Sequence, residues 1–106
     1  MPAESWNWSD WTAQSSAHQC LLEFLTLDIQ NSPEWVQHLL TQIAALETGE
    51  ITTWTRSGNA YHLTFSPQNV TIENMAGATE PIETISLQEF KAAVLAWQHQ
   101  IETNPF

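Results

Sequence analysis

The 106 residues, 42% of them hydrophobic, suffice for one domain spanning 1–106 with a core of its own and no need of covalent staples. Two basic residues against twelve acidic ones give a formal net charge of −10. That balance repels free DNA, RNA and anionic membranes, and either favours a cationic protein partner through faster encounter or serves solubility alone.

Residues 1–11, MPAESWNWSDW, hold three of the six tryptophans. Trp6 and Trp8 would share one face of a strand; Trp8 and Trp11 would share one face of a helix. Packing of these rings on a sheet is the expectation, with an exposed aromatic binding patch as the alternative. The opening residues lack a basic region followed by an apolar run, and no stretch approaches the ~20 apolar residues of a membrane span, so a cytoplasmic protein is expected. Residues 12–19, TAQSSAHQ, read as a loop or short helix. His18 and Cys20 lie two apart, but no third or fourth ligand follows, so no metal site is expected.

The lone cysteine, Cys20, excludes an internal disulfide and reads as a small buried hydrophobe. It opens CLLEFLTLDI, residues 20–29. A strand apolar on both faces fits this run and is the expected form. A helix fits too, because Leu21, Phe24, Leu25 and Asp28 share helical spacing.

Ser32-Pro33-Glu34 opens a helix over 33–48: an N-cap, a proline at the first helical position, and an acid at the positive end of the dipole. Trp35, Val36, Leu39, Leu40, Ile43 and Leu46 form its apolar face, and Gly49 stops it. An antiparallel meander follows over 51–75. Gly58-Asn59 is a favoured two-residue hairpin loop because glycine takes positive φ freely. It would set Trp54 opposite Leu63 and Arg56 opposite Tyr61. Ser66-Pro67-Gln68-Asn69 makes the second turn, setting Phe65 opposite Val70, Leu63 opposite Ile72 and His62 opposite Glu73. Both turns place Trp54, Tyr61, Leu63, Phe65, Val70 and Ile72 on one face. Thr53, Thr55, His62, Thr64, Thr71 and Glu73 take the other, a surface suited to solvent.

Residues 75–81 read as a loop, and Ile82–Ile85 as a further strand beside Val70–Asn74. Glu73, Glu80 and Glu83 would then lie close together, as a solvated acidic edge or a partner-binding patch. Ser86-Leu87-Gln88-Glu89 is a capping box. It opens a helix over 87–102 whose stripe is Leu87, Phe90, Val94, Trp97 and Ile101. The fold class is therefore α+β: an antiparallel sheet of three to five strands with the helices 33–48 and 87–102 packed on one face. There is no Gly-rich phosphate loop, no nucleophile with a base nearby in sequence, and no ligand set for a metal or other cofactor. The expectation is a protein that is not an enzyme.

The pattern Trp54-x-Arg56-x-Gly58-Asn59-x-Tyr61-x-Leu63, then Val70-x-Ile72-Glu73-Asn74, then Ser86-Leu87-x-x-Phe90 and a closing helix with Trp97, resembles the small acidic immunity proteins of contact-dependent growth inhibition and related polymorphic toxin systems. It also looks like the YacL family. The resemblance covers Glu50 to Ile101 and rests on a turn, a core face and a cap. It implies a protein that binds and neutralises a cognate toxin, often a cationic nuclease; the YacL likeness implies an interaction module or adaptor instead. On the toxin reading the contacts would be Glu50, His62, Glu73, Glu80 and Glu83, on the exposed meander face or its edge.

Overall fold

A computed structural model describes residues 11, 13–58, 61–75 and 82–103. Ser15 caps the first helix, α1 (Ser16–Phe24), its hydroxyl accepting from His18 N–H at 3.2 Å. The helix widens into a π-helical turn over Leu25–Ile29, closed by Gln30 N–H donating to Leu25 O at 2.7 Å. The strand expected over 20–29 is thus a helix. Burial explains why: Leu21, Phe24, Leu25, Asp28 and Ile29 are buried on one helical face, while Glu23, Thr26 and Leu27 are exposed. A strand would have set Glu23 on the same face as Leu21 and Leu25. Cys20 is half-buried against the core.

The second helix, α2 (Pro33–Thr48), starts and stops as its sequence signals. Ser32 Oγ accepts from Trp35 N–H at 3.2 Å, and Gly49 takes the left-handed conformation (φ 83°) that ends the helix. Val36, Leu39, Ile43 and Leu46 are buried; Trp35, expected on the same face, is 39% exposed.

Four antiparallel strands follow in the order β1 (Trp54–Ser57), β2 (Tyr61–Phe65), β3 (Asn69–Asn74) and β4 (Glu83–Ser86). The β2–β3 register is the expected one, including Phe65 opposite Val70 and His62 opposite Glu73. The β1–β2 register is displaced by two residues, with Trp54 opposite Phe65 and Arg56 opposite Leu63. Gly58 N–H donates to Tyr61 O at 2.9 Å and so closes the hairpin; positions 59 and 60 lie outside the described residues. Gly58 is not at positive φ. A two-residue displacement preserves the faces: Tyr61, Leu63, Phe65, Val70, Ile72 and Ile85 are buried, and Thr55, Thr64, Thr71 and Thr84 form a row across the opposite, open face.

Ser86 ends β4 and caps the last helix, α3 (Leu87–Thr103): Glu89 N–H donates to Ser86 Oγ at 3.1 Å, and Ser86 Oγ donates to Glu89 Oε1 at 3.2 Å. Leu87, Phe90, Val94, Trp97 and Ile101 are all buried, as their stripe predicts. The core lies between this helix layer and the inner sheet face, with Phe24, Phe65 and Phe90 at its centre. Each large side chain there contributes roughly 1.5–3 kcal/mol by leaving water. The architecture is α+β, and among the described residues a third helix, α1, packs on the sheet beside the two expected.

Trp6 and Trp8 lie outside the described residues. Trp11 is buried, its indole N–H donating to His18 O at 2.9 Å and its ring edge-on to the His18 ring. His18 is itself buried, and its Nε2 meets Glu89 Oε2 at 3.2 Å, tying α1 to the first turn of α3. No described helix is long and apolar enough to cross a membrane.

Candidate interaction surface

Of the five expected contact residues, the described ones are spread over both faces of the sheet and the end of α2. His62 and Glu73 stand opposite each other on the open sheet face, and His62 Nδ1 shares a 2.7 Å hydrogen bond with Ser57 Oγ. Glu83 pairs with Ile72, which puts it on the inner face, at the β4 edge, where its Oε2 accepts from Ser16 Oγ at 3.0 Å. Glu50 is exposed just beyond α2 and precedes β1, whose first residue sits three register rows from the His62–Glu73 pair. Glu80 lies outside the described residues. Among the described strand residues, Glu73 is the one carboxylate on the open face.

A different constellation gathers at the β1 edge. Parity places Arg56 on the inner face with Trp54. Its side chain is only 8% exposed, with the guanidinium carbon 4.1 Å from the centre of the Trp35 ring and 5.5 Å from that of Phe24. This is a cation held between two aromatic faces. Arg56 Nη1 stands 3.8 Å from Asp28 Oδ2, too long for a direct hydrogen bond, and neither Nε nor Nη1 has a hydrogen-bond partner among the described residues. Burial pushes the guanidinium below its ordinary pKa, and the Asp28 charge opposes that shift. Asp28 has a fully buried side chain whose Oδ2 accepts from Tyr61 N–H at 3.1 Å. Tyr61 in turn donates its hydroxyl to Glu23 Oε1 at 2.8 Å. One acid at the end of α1 therefore holds both the only arginine and the base of the first hairpin.

Above Arg56 the rings continue to the surface. Trp35 meets His38 edge-on at 5.3 Å, His38 meets Trp54 at 5.4 Å, and Trp54 packs on Phe65 at 5.0 Å. Trp35 and His38 are exposed and Trp54 is half-buried. Glu34, Trp35 and His38 line an open cleft of about 250 Å³. Beside this shelf runs the outer edge of β1, which no other described strand pairs. Since Gly58 N–H bonds to Tyr61 O, the alternation of an antiparallel ladder turns the backbone N–H and C=O groups of Thr55 and Ser57 outward. An added strand would find hydrogen-bonding groups along the edge and an aromatic shelf on the inner side.

A model of the Uncharacterised protein family UPF0231 matches residues 9–100. The chain belongs to the UPF0231 family. The YacL likeness read from Glu50 to Ile101 is compatible with that membership, and the match extends the kinship through α1 and α2, which the sequence motifs had not placed. No curated protein and no solved structure matches this UPF0231 chain. Sequence reasoning missed the β1-edge constellation, although a signal was present: with one lysine and one arginine in the chain, Arg56 shares strand parity with Trp54.

Proposed function

We propose that this UPF0231 protein is a protein-binding module that takes an extended, basic segment of its partner along the β1 edge and against Trp35, His38 and Trp54. The observation that carries this reading is the surface aromatic shelf beside unpaired strand groups, with Glu34 next to it in a chain of net charge −10. Strand addition supplies affinity through main-chain hydrogen bonds, and alternate side chains landing on the shelf supply selectivity. Trp35 is the expected anchor, because partly exposed tryptophans dominate binding energy at interfaces. Its outer ring face and Glu34 together suit a lysine or arginine side chain.

The test is calorimetric titration with an eight-residue peptide alternating Lys and Val, against its Glu/Val counterpart. The Lys/Val peptide binds and the Glu/Val peptide does not. Trp35→Ala weakens binding at least tenfold, about 1.4 kcal/mol, while Trp35→Phe retains most of it. Equal binding of both peptides, or none by either, sinks the proposal.

The net charge favours a finer reading: the partner is a cognate basic toxin, often a nuclease, which the chain neutralises, with Glu50, His62, Glu73, Glu80 and Glu83 aiding the encounter. Capture of the tagged protein from its native host distinguishes the cases. A near-stoichiometric basic partner with a toxin domain supports the immunity reading, and neutralising Glu80 and Glu83 should then slow association and flatten its salt dependence. Housekeeping partners alone, in cells making the toxin candidate, favour an adaptor of YacL type.

A further inference from the structure

Three residues near the start of α2 share one face. Glu34 and His38 stand four apart and Trp35 and His38 three apart, the spacings that bring helical side chains together. Ser32 fixes the first turn by accepting from Trp35 N–H. Together the three line the open cleft of about 250 Å³ beside β1, so its walls are two rings and an acid. The Trp35 and His38 planes stand 88° apart with ring centres 5.3 Å from each other, which makes them a corner, and Trp54 backs His38 from β1 at 5.4 Å. Arg56 covers the inner face of Trp35, yet Trp35 is 39% exposed, so it is the outer face of the indole that opens to the cleft. Glu34 and His38 are exposed as well.

An indole face beside a carboxylate attracts a cation, and the surface it must lie on decides which kind. A primary ammonium is a compact, strongly hydrated charge with three donors. To rest on the Trp35 face it must turn donors from water toward a ring that accepts them only weakly. A quaternary ammonium has no donor to satisfy. Its charge is spread over methyl groups that sit against ring carbon, so it gains the same attraction with little hydration lost. Arg56 behind Trp35 and the positive first turn of α2 oppose a further cation, while Asp28 beside Arg56, Glu34 in the cleft and the net charge of −10 offset them. The cleft is smaller than the ~300–1,000 Å³ of sites for drug-sized ligands and suits a single head group. We propose that this cleft is a site for a quaternary ammonium group, and that the group is the side chain of a trimethylated lysine in the segment bound along β1. The choice of lysine rests on the function proposed above; the chemistry of the cleft does not.

The experiment titrates the full chain, at pH 8 and constant ionic strength, with three probes. Choline carries the group itself, ethanolamine keeps the charge without the methyl groups, and 3,3-dimethylbutan-1-ol keeps the shape without the charge. Indole resonances in ¹H–¹⁵N correlation spectra report binding. Choline should shift the Trp35 indole saturably, with millimolar affinity, and leave the buried Trp11 and Trp97 indoles unmoved. Ethanolamine and the uncharged isostere should each bind at least threefold more weakly. Glu34→Gln, at an exposed position, should keep the folded spectrum and weaken choline at least twofold. The lysine source is tested with the Lys/Val peptide against a copy carrying one trimethylated lysine, whose affinity should be at least threefold higher. Absence of a saturable shift up to about 50 mM choline, or equal affinities for the three probes, overturns the site whether or not the peptides bind. Selective choline binding with no binding of either peptide overturns strand addition and the lysine source together, and makes the occupant a free small amine. Equal binding of the two peptides beside selective choline binding overturns the lysine source alone.

Discussion

Gly58→Ala isolates the role of the packed acid at the base of the first hairpin. A Cβ on Gly58 would lie 2.5 Å from Asp28 Oδ2 and 2.8 Å from Asp28 Cγ, and would also overlap Arg56 Nη1. Neither neighbour has room to give. The Asp28 side chain is fully buried and holds Tyr61 N–H, and Arg56 is packed beneath Trp35. Overpacking of this kind costs about 1–3 kcal/mol, and pushing Asp28 off a buried backbone N–H costs a further 1–3 kcal/mol or so. The expected loss is therefore about 2–5 kcal/mol, a drop in Tm of roughly 10 °C or more for a domain of this size. Urea unfolding followed by far-ultraviolet circular dichroism measures it directly. The backbone of Gly58 lies outside the left-handed region, so alanine there would otherwise be mildly stabilising, by about 0.4–1 kcal/mol. A variant within about 0.5 kcal/mol of the parent would refute the steric argument. A second arm separates sterics from turn conformation: in an Asp28→Ala background two of the three contacts vanish, and the added cost of Gly58→Ala should shrink by more than half. An undiminished cost would mean that the turn, rather than the acid, demands glycine.

Two further stability changes follow from the geometry. Gln30→Gly relieves a strain of about 1–3 kcal/mol at the cost of about 1 kcal/mol in chain entropy, so it should raise the unfolding midpoint, and a lowered midpoint would show that Gln30 sits there without strain. Ser86→Ala removes the acceptor for Glu89 N–H and the hydroxyl partner of Glu89 Oε1, and should cost about 1 kcal/mol in the same denaturation assay, whereas a neutral result would mean that water caps α3 equally well.

Where the sequence is read through local rules, it is read well. The caps at Ser32 and Ser86, the stop at Gly49 and the stripe from Leu87 to Ile101 all depend on residues within a few positions of one another. The run Cys20–Ile29 was harder, because its N-terminal signal lies outside it. Ser15 caps the helix from within a polar stretch that reads equally as loop or short helix, and the decisive mark, an acid at position 28 buried among leucines, makes sense only once Arg56 is placed beside it. The placement of the acidic residues was harder to read for a similar reason. Net charge and proximity in sequence say how many carboxylates there are, while the period of two along a strand sends Glu73 and Glu83 to opposite faces.

The first hairpin makes the limit most explicit. Alternation along β1 and β2 determines which side chains face inward, but a displacement of two residues leaves every side chain on its face, so the hydrophobic pattern is blind to it. Something else must select between Arg56 opposite Tyr61 and Arg56 opposite Leu63. In the structure it is Asp28, thirty-three residues upstream of Tyr61, whose carboxylate takes the Tyr61 N–H while lying against Arg56 and over the bare Cα of Gly58. Gly58 therefore contributes space, not positive φ, and the register is set by a tertiary contact. The same contact draws Arg56 inward on an edge strand, which discourages indiscriminate edge pairing, and carries Trp35 over it toward the surface. The element that settles the register also builds the shelf on which a partner strand would rest.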